Sequence, residues 1–569
     1  MPRPTAFSKI RTFLSDKVGY DGERLPQSAT QIVMDLRPRV EEAEEFAHRR
    51  LSEYTTWRDY ILGHGQKAKY LAELQKLEMS DFFVVTNYVR PLISHMVSLL
   101  TSSLGVPYVV PANEDDEERA KSADTITNYL QAMRHRDRYS LQLRQWLEDA
   151  AVCGTGWLRA YYDPMRKRAV IERQDAATVY PEPNAKTIRE AEFVALRHVY
   201  NLGYARRRWP DLDMKKYEKA GPPEQAEEGE GQQQLVPQAV VWEVYHDFGE
   251  RLSIWSDDQI LYTGPAPVLG QGYPLFPFTF NPSNLDLHGY SLLRDLEDPQ
   301  DFYNRITTRM DWYTRFWAMP MAETDDPNAN IEIKPGAKWF TRQGFHANPV
   351  HPPDFPGELF GMLHNQQQAL DTISGIQEVN RGEKPQGITA GVALDLLRQM
   401  SQQRQAGPLE DATSALQDAF GYLLALLQEY FEGYDTIVYD AEGSTARASL
   451  GATDLYGRYD VEDEETGELV ADILPHEYNV LMQPPGDLPR SPAAQAELAI
   501  QLFQLGAIDD VALLELVKLE GRKEVLARKA AQMQAMLEGQ MAGMKERAMA
   551  DQQSAGMSQE AGMSQEMPQ

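Results

Sequence analysis

The chain has 569 residues, more than one hydrophobic core normally supports, so we expect several domains or one subunit built from several parts. Its formal net charge of −29, from 85 acidic and 56 basic residues, argues against tight binding of duplex DNA, which depends on lysine and arginine contacts to phosphates. No apolar stretch reaches the length of about 18 residues needed to span a membrane, the N-terminus lacks a signal-peptide pattern, and the single cysteine excludes internal disulfides.

The first part of the chain is predicted to be mainly helical. Amphipathic patterns predict helices over 37–77 and 82–100, followed by a short extended piece at 106–111. A further helix is expected over 141–152, ending at Gly154 because glycine readily adopts the conformation that closes a helix.

Strands replace helices in the next part of the sequence. β-Branched and aromatic runs bounded by proline-containing turns predict a mostly antiparallel sheet from segments 157–161, 169–171, 192–200 and 240–245. The insertion at 221–234 is polar and of low complexity, so we expect a mobile loop there.

Two helices separated by a proline-rich excursion are predicted next. Asp298 can cap a helix and Pro299 suits its first position, so we expect the first helix to begin there and to end near Pro320. Its packed face is predicted from apolar residues that recur every three or four positions, namely Phe302, Ile306, Met310, Tyr313 and Trp317. The second helix is expected to begin near Gly357.

A glycine-punctuated loop at 375–387 leads to a third and longer helix. This helix is predicted over 389–432, with a kink at Gly407 and Pro408, because proline removes a helical hydrogen bond and clashes with the preceding turn. Strands are expected again over 434–482.

The segment Val152-Cys153-Gly154-Thr155-Gly156 could contain a phosphate-binding loop or a nucleophilic cysteine. Phosphate loops run from a strand through glycines into a helix, whereas here a helix precedes the glycines and a strand follows. The dipole at a helix C-terminus also opposes ionisation of a thiol. We therefore interpret this segment as a helix C-cap.

Other motifs of enzymes and metal sites are missing or incomplete in the sequence. The patterns G-x-x-x-x-G-K-[ST], H-E-x-x-H and G-x-S-x-G do not occur. His346 and His351 lack a third ligand type nearby, and the segment 326–330 lacks the glycine and glutamate of a calcium loop, so a plain turn is favoured there. We expect no catalytic residues, no metal and no cofactor.

Three arginines on the first helix of the pair are interspersed with aromatic residues: Arg305, Arg309 and Arg315. Such a mixture can bind single-stranded nucleic acid through stacking and charge. The helical spacing instead favours packing against a neighbouring element, with the arginines pairing to acidic groups.

The order of these elements resembles that of portal (head-to-tail connector) proteins of tailed bacteriophages, most closely those of short-tailed phages. The order and spacing of four segments across nearly the whole chain carry the resemblance: Cys153-Gly154-Thr155-Gly156-Trp157; Pro274-Leu275-Phe276-Pro277 leading to His288-Gly289-Tyr290-Ser291; Asp298-Pro299-Gln300 with Asn304; and Gly506-Ala507-Ile508-Asp509. The insertion at 221–234 and the repetitive tail depart from the family pattern.

The resemblance implies an α+β portal fold, mainly helical, that assembles as a ring of usually twelve identical subunits. Its implied parts, in chain order, are the N-terminal wing (1–289), a stem helix (290–318), the clip (319–356), a second stem helix (357–378), the tunnel loop (379–388), the rest of the wing (389–490), crown helices (491–550) and a disordered tail (551–569).

The resemblance also implies which side chains contact DNA and partners. In the tunnel loop, the residues expected to face DNA are Asn380, Arg381, Glu383, Lys384 and Gln386. In the clip, the residues expected to contact terminase or adaptors are Lys334, Lys338, Trp339 and Arg342.

The implied function is a non-enzymatic channel at one capsid vertex through which double-stranded DNA is packaged and ejected without tight binding. The implied partners are other copies of the chain, the large terminase subunit, the major capsid and scaffolding proteins, and head-to-tail adaptor proteins. We expect the protein in the virion, and in the host cytoplasm during assembly, without a membrane association.

Two other functions remain open at this point. A metal-dependent nuclease would need clustered carboxylates for two metal ions, whereas the acidic clusters here fall in predicted turns and helix starts. A minor structural protein of the virion without a channel is the other alternative.

Overall fold

The chain forms two compact units, Met1–Pro485 and Gly486–Gln569. The computed structural model describes residues 27–75, 83–112, 117–210, 212, 238–257, 259–283, 286–317, 321–327, 341–350, 356–375, 406–431, 433–441, 444–462, 469–483 and 503. All elements named below belong to the first unit. Over the described part of the chain, no helix is both long and apolar enough to cross a lipid bilayer.

The N-terminal part is helical, as predicted. Its described helices are α1 (Gln27–Ile61), α2 (His64–Gln75), α3 (Val89–Ser103), α4 (Glu117–Arg136) and α5 (Tyr139–Cys153). The apolar face of α3 is buried through Leu92, Ile93, Met96, Val97 and Leu100. The predicted helix at 82–100 is wrong at its beginning, because residues 83–88 form no regular structure.

Two antiparallel sheets are the largest sheets of the described residues. The three-stranded sheet has the order β3–β2–β9, from β2 (Gly156–Asp163), β3 (Arg168–Gln174) and β9 (Leu275–Phe278). The five-stranded sheet runs in sequence order, from β4 (Val179–Pro181), β5 (Phe193–Asn201), β6 (Gln238–His246), β7 (Arg251–Ser256) and β8 (Gln259–Pro265). A seven-residue helix, α6 (Leu202–Arg208), follows β5 directly. The antiparallel strands predicted from the β-branched runs are confirmed, but the single sheet is wrong: the runs at 157–161 and 169–171 lie in the three-stranded sheet, and those at 192–200 and 240–245 lie in the five-stranded sheet.

Pairs of strands complete the described sheet structure. The strand β1 (Val106–Pro111) pairs antiparallel with β16 (Tyr478–Gln483), which joins distant parts of the unit. The other pairs are β10 (Met321–Thr324) with β11 (Ala347–Val350), β12 (Tyr434–Ala441) with β13 (Ser444–Gly451), and β14 (Tyr456–Glu462) with β15 (Leu469–Pro475). The strands predicted over 434–482 and at 106–111 are therefore present.

The remaining described helices are α7 (Leu293–Trp317), α8 (Glu358–Ser374), α9 (Ala406–Tyr430) and the short α10 (Ala452–Leu455). The helix α9 crosses the three-stranded sheet with its apolar stripe inward. The Phe420 ring lies 5.9 Å from the Tyr139 ring, and the Tyr430 ring stacks on Tyr162 at 4.6 Å. Helices and antiparallel sheets thus share one core, so the fold class is α+β, as predicted.

The predicted start of the first paired helix is wrong. The helix α7 begins at Leu293, and Pro299 lies inside it rather than at its first position. The Ser291 hydroxyl accepts a hydrogen bond from the Leu293 amide at 3.1 Å, and Leu293 and Leu296 are buried. Burial of these two leucines stabilises a helix that begins before the proline. Pro299 removes one hydrogen bond inside the helix, but the packing of the leucines outweighs that loss.

Several predictions fall outside the described residues. These are the insertion at 221–234, the tunnel loop at 379–388, the helix before residue 406, the crown helices apart from residue 503, and the tail at 551–569.

Candidate functional site

Two glycine-containing segments contact each other closely just before α7 begins. Gly154 follows α5 with φ of +91°, and a Cβ atom there would lie 2.2 Å from the Gly289 carbonyl oxygen. The Gly289 amide donates to the Thr155 hydroxyl at 3.0 Å, and the Leu292 amide donates to the Ala151 carbonyl at 2.9 Å. Only glycine allows two backbones to approach this closely, so the turn after α5 determines where α7 leaves the core.

Cys153 ends α5, as the C-cap interpretation predicts. The side chain is buried, and burial raises the pKa of the Cys153 thiol to about 12. At neutral pH the thiol is therefore protonated, which is the unreactive form.

The helices α7 and α8 pack against each other although an excursion of the chain separates them. Leu370 of α8 is fully buried, and Tyr303 of α7 is 5% exposed. The Gln367 amide donates to the Tyr88 hydroxyl at 2.6 Å and lies 3.4 Å from the Tyr303 hydroxyl, and the two tyrosine rings meet edge to face at 4.9 Å. The segment before α3 therefore lies in the same contact as the two helices.

A row of polar side chains on α7 holds the irregular segment 83–88. The Gln300 amide donates to the Thr86 carbonyl at 2.8 Å, and its oxygen accepts from the Tyr88 amide at 3.0 Å. Asn304 accepts from the Thr86 amide at 3.1 Å. One turn further, the Thr308 hydroxyl accepts from the Val84 amide at 3.2 Å.

The spacing of this row explains why the segment is not helical. Positions four apart on a helix are separated by about 6 Å along its axis, close to the distance of about 6.6 Å covered by two residues of an extended chain. Residues 300, 304 and 308 can therefore bind residues 88, 86 and 84 in turn. We name these three side chains, Gln300, Asn304 and Thr308, the polar ladder.

A charged cluster joins α7 to the N-terminal helices. The Tyr60 hydroxyl donates to Asp301 at 2.8 Å, and the Lys69 ammonium group contacts Asp301 at 2.6 Å and Glu297 at 2.8 Å. The Asp301 side chain is 6% exposed, so its charge is neutralised inside the protein rather than by solvent. The cluster and the polar ladder together hold α7 against the rest of the unit.

A second buried charge joins the two large sheets. Glu243 on β6 accepts hydrogen bonds from Arg159 on β2 and from the Tyr245 hydroxyl at 2.8 Å, and His198 lies 3.2 Å away. Burial by itself raises the pKa of Glu243, but the Arg159 charge and the hydrogen bond with His198 outweigh this effect and hold the pKa well below its usual range. Glu243 is therefore an anion at neutral pH.

The excursion between α7 and α8 is closed at its base by β10 and β11. Asp326 is 5% exposed, and its carboxylate accepts from the Arg342 amide at 3.4 Å. Residues 328–330 lie outside the described part of the chain, so the plain turn expected at 326–330 stays a prediction. The Arg342 side chain is exposed. The other expected partner contacts, Lys334, Lys338 and Trp339, lie outside the described residues.

The tunnel-loop side chains, Asn380, Arg381, Glu383, Lys384 and Gln386, also lie outside the described residues. Gly407 and Pro408 are the second and third residues of α9 as it is described. Because residues 401–405 are not described, a kink at this position stays a prediction.

The arginines of α7 were expected to pair with acidic groups. Arg305 places its guanidinium 5.8 Å from the centre of the Tyr70 ring on α2, Arg309 is exposed, and the side chain of Arg315 lies outside the described residues, so the pairing stays a prediction. The polar ladder is the feature that sequence reasoning missed. A polar residue at every fourth position was its visible signal, but such a pattern equally describes a solvent-facing stripe.

Among the described residues, no group of three or more histidine, cysteine, aspartate or glutamate side chains could hold a metal ion. No curated protein matches the chain. The sequence profile described as Phage P22-like portal protein matches residues 249–569, which is more than half of the chain and includes α7, α8 and α9. The chain therefore belongs to the phage P22-like portal protein family.

Proposed function

We propose that this portal protein assembles as a closed ring around a central channel, through which double-stranded DNA enters and leaves a capsid at one vertex. The expected ring contains twelve copies, belongs to a short-tailed type of phage, and has no enzymatic activity of its own. A separate terminase would supply the energy for packaging.

The packing of α7 against α8 is the observation that carries this proposal. With 25 and 17 residues, the two helices are about 38 and 26 Å long. Two packed helices of this length are suited to form the wall of a channel that crosses a capsid shell. We assign them to the stem, at 290–318 and 357–378.

The apolar surface of α8 supports association with further copies. Met362 is 44% exposed and Ile373 is 40% exposed in the single chain. Eleven helical positions separate them, which places both on nearly the same face, roughly 60–80° from the buried Leu370. In a ring, a neighbouring subunit would cover this face.

The other parts follow from the position of the stem in the chain. The excursion at 319–356 is the proposed clip, which docks the large terminase subunit and later the head-to-tail adaptors. The loop at 379–388 is the proposed tunnel loop, the helix and strands over 389–490 complete the wing, and residues 491–550 form the crown.

The net charge of −29 per subunit suits a channel that DNA must pass without binding. Phosphate groups gain affinity mainly from lysine and arginine contacts, so an acidic lining keeps DNA from adhering at any one point. Within the proposed tunnel loop, Arg381 and Lys384 are the side chains best suited to transient contacts with the phosphate backbone.

Negative-stain electron microscopy of the purified full-length protein, viewed end-on, tests the proposal. Closed rings with a central hole wide enough for a double helix are the expected result. Monomers, filaments or rings without an opening would contradict it. Capsid and scaffolding proteins should then incorporate the ring at a single vertex when they are co-expressed.

A further inference from the structure

A basic surface lies on α6, outside the residues that match the portal family. Although the whole chain is strongly acidic, the last turn of α6 carries three consecutive arginines, Arg206, Arg207 and Arg208. Ala205 is buried and packs with Ala239 of β6 in one apolar cluster. This packing holds the arginine-bearing turn on the five-stranded sheet.

An aromatic group lies directly beside these arginines. The Tyr204 ring is 43% exposed and stacks on Tyr200 at 4.9 Å, with 28° between the ring planes. The Tyr200 ring in turn stacks on His198 at 5.4 Å and lies 5.5 Å from Trp209. Tyr204 is therefore an exposed ring held in place by a row of supporting rings.

The arginines are arranged to meet several anionic groups rather than one. Successive residues of a helix point about 100° apart, so three neighbouring guanidinium groups spread over the surface. Arg206 and Arg207 are exposed, and the Arg208 guanidinium lies 5.2 Å from the centre of the Trp209 ring. Arginines at the end of a helix can also simply interact with the helix dipole. One arginine would be enough for that interaction, and it does not explain the exposed Tyr204 ring.

We propose that this surface binds the phosphodiester backbone of nucleic acid. We define it as the basic–aromatic surface, formed by Tyr200, Tyr204, Arg206, Arg207, Arg208 and Trp209. Arginine forks bind phosphate oxygens in pairs, and a row of phosphates matches charges that spread over a surface. Where bases are unpaired, the Tyr204 ring is positioned to stack on one of them.

The chemistry favours nucleic acid over an acidic peptide. Both ligands would use the arginines, but only nucleic acid offers flat aromatic bases to the exposed Tyr204 ring. The proposal does not depend on the ring or on the tunnel loop, because α6 precedes the family match and lies in another part of the chain.

Fluorescence anisotropy of the full-length protein tests the proposal. The probes are a fluorescein-labelled single strand of about 20 nucleotides and the matching duplex, titrated at about 50 mM salt and above. The test variant is Arg206→Gln/Arg207→Gln/Arg208→Gln. The control is Arg49→Gln/Arg144→Gln/Arg189→Gln, which removes the same charge from exposed arginines elsewhere in the chain.

The test variant should bind both probes about tenfold or more weakly, and its slope of log affinity against log salt concentration should fall by about 3. The control should bind as the wild type does. Tyr204→Ala should weaken binding of the single strand and leave duplex binding unchanged. Ultraviolet cross-linking of the wild type, mapped by mass spectrometry, should label Tyr204 or Trp209 even if a variant fails to fold.

Four results would overturn the proposal. The first two are a wild type that binds neither probe and a test variant that binds both probes as tightly as the wild type does. The third is a control variant that loses as much affinity as the test variant. The fourth is polyglutamate that displaces the probes as effectively as unlabelled DNA does at equal charge concentration. The last result would assign the surface to an acidic peptide instead.

Discussion

The Gln300 side chain hydrogen-bonds to the Thr86 carbonyl at 2.8 Å, across 214 positions of sequence. The same carboxamide accepts from the Tyr88 amide at 3.0 Å, and Gln300 is 0% exposed. One buried side chain thus satisfies two backbone groups of a segment that has no regular structure of its own. This contact connects the proposed stem helix to the N-terminal helices.

Replacing Gln300 should therefore destabilise the unit. In Gln300→Leu, the Thr86 carbonyl and the Tyr88 amide lose their partners inside the protein, which should cost about 2–4 kcal/mol in the free energy of unfolding. Urea denaturation measures this loss, and hydrogen exchange should become faster at the Tyr88 amide. The matched control is Gln145→Leu, at an exposed position of α5. Equal stability of the two variants would contradict the role of the polar ladder.

The buried Glu243 carboxylate should contribute to stability in a pH-dependent way. In Glu243→Gln, the Arg159 charge stays buried without an anion, which should lower the free energy of unfolding by about 3 kcal/mol at pH 7. The control is Glu192→Gln, because the exposed pair of Glu192 with Arg39 should contribute less than about 1 kcal/mol.

The sign of the pH effect follows from the lowered pKa of Glu243. A carboxylate whose pKa is lower in the folded protein contributes stability above its unfolded pKa of about 4.3 and loses that contribution as the pH falls further. The difference in thermal stability between wild type and Glu243→Gln should therefore be largest at neutral pH and shrink below about pH 4. A constant difference down to pH 3 would contradict this explanation.

Charges placed on the exposed apolar face of α8 should prevent assembly. In Met362→Asp/Ile373→Asp, two carboxylates would have to be buried between neighbouring subunits, at a cost of several kcal/mol for each interface. Size-exclusion chromatography with light scattering should then find monomers that retain the circular dichroism of the wild type. The control, Gln368→Asp, changes an exposed residue on another face of α8 and should still form rings. Rings formed by the double variant would remove this face from the interface.

Removing the two positive charges of the proposed tunnel loop should change DNA packaging or retention without preventing ring assembly. We expect Arg381→Ala/Lys384→Ala to form rings in normal yield, because both changes fall in a polar loop. Packaging efficiency or DNA retention, measured as nuclease-protected DNA per particle, should change, since both depend on contacts along the channel. Glu383→Ala in the same loop serves as the control for a change of charge without loss of a cation. Normal packaging and retention in the double variant would exclude the proposed contacts.

Local patterns in the sequence determined most of the secondary structure. The antiparallel strands, the cap of α5 at Gly154 and the end of the second paired helix near residue 375 all follow from signals within a few residues. The start of α7 could not be obtained in this way. Asp298 and Pro299 form a correct helix-start signal by themselves, but burial of Leu293 against the core decides the outcome.

The sequence by itself determined the α+β class and much of the order of elements, because propensity, periodicity and turn residues act locally, while the family was indicated by the resemblance of its motifs to portal proteins. Only the tertiary structure decided that Gly154 contacts Gly289, that Gln300 hydrogen-bonds to Thr86, and that Glu243 forms a salt bridge with Arg159. Each of these pairs joins distant parts of the chain. A buried polar group without a partner costs free energy, and a side chain at Gly154 would collide with the Gly289 backbone, so both requirements depend on residues that no local pattern in the sequence contains.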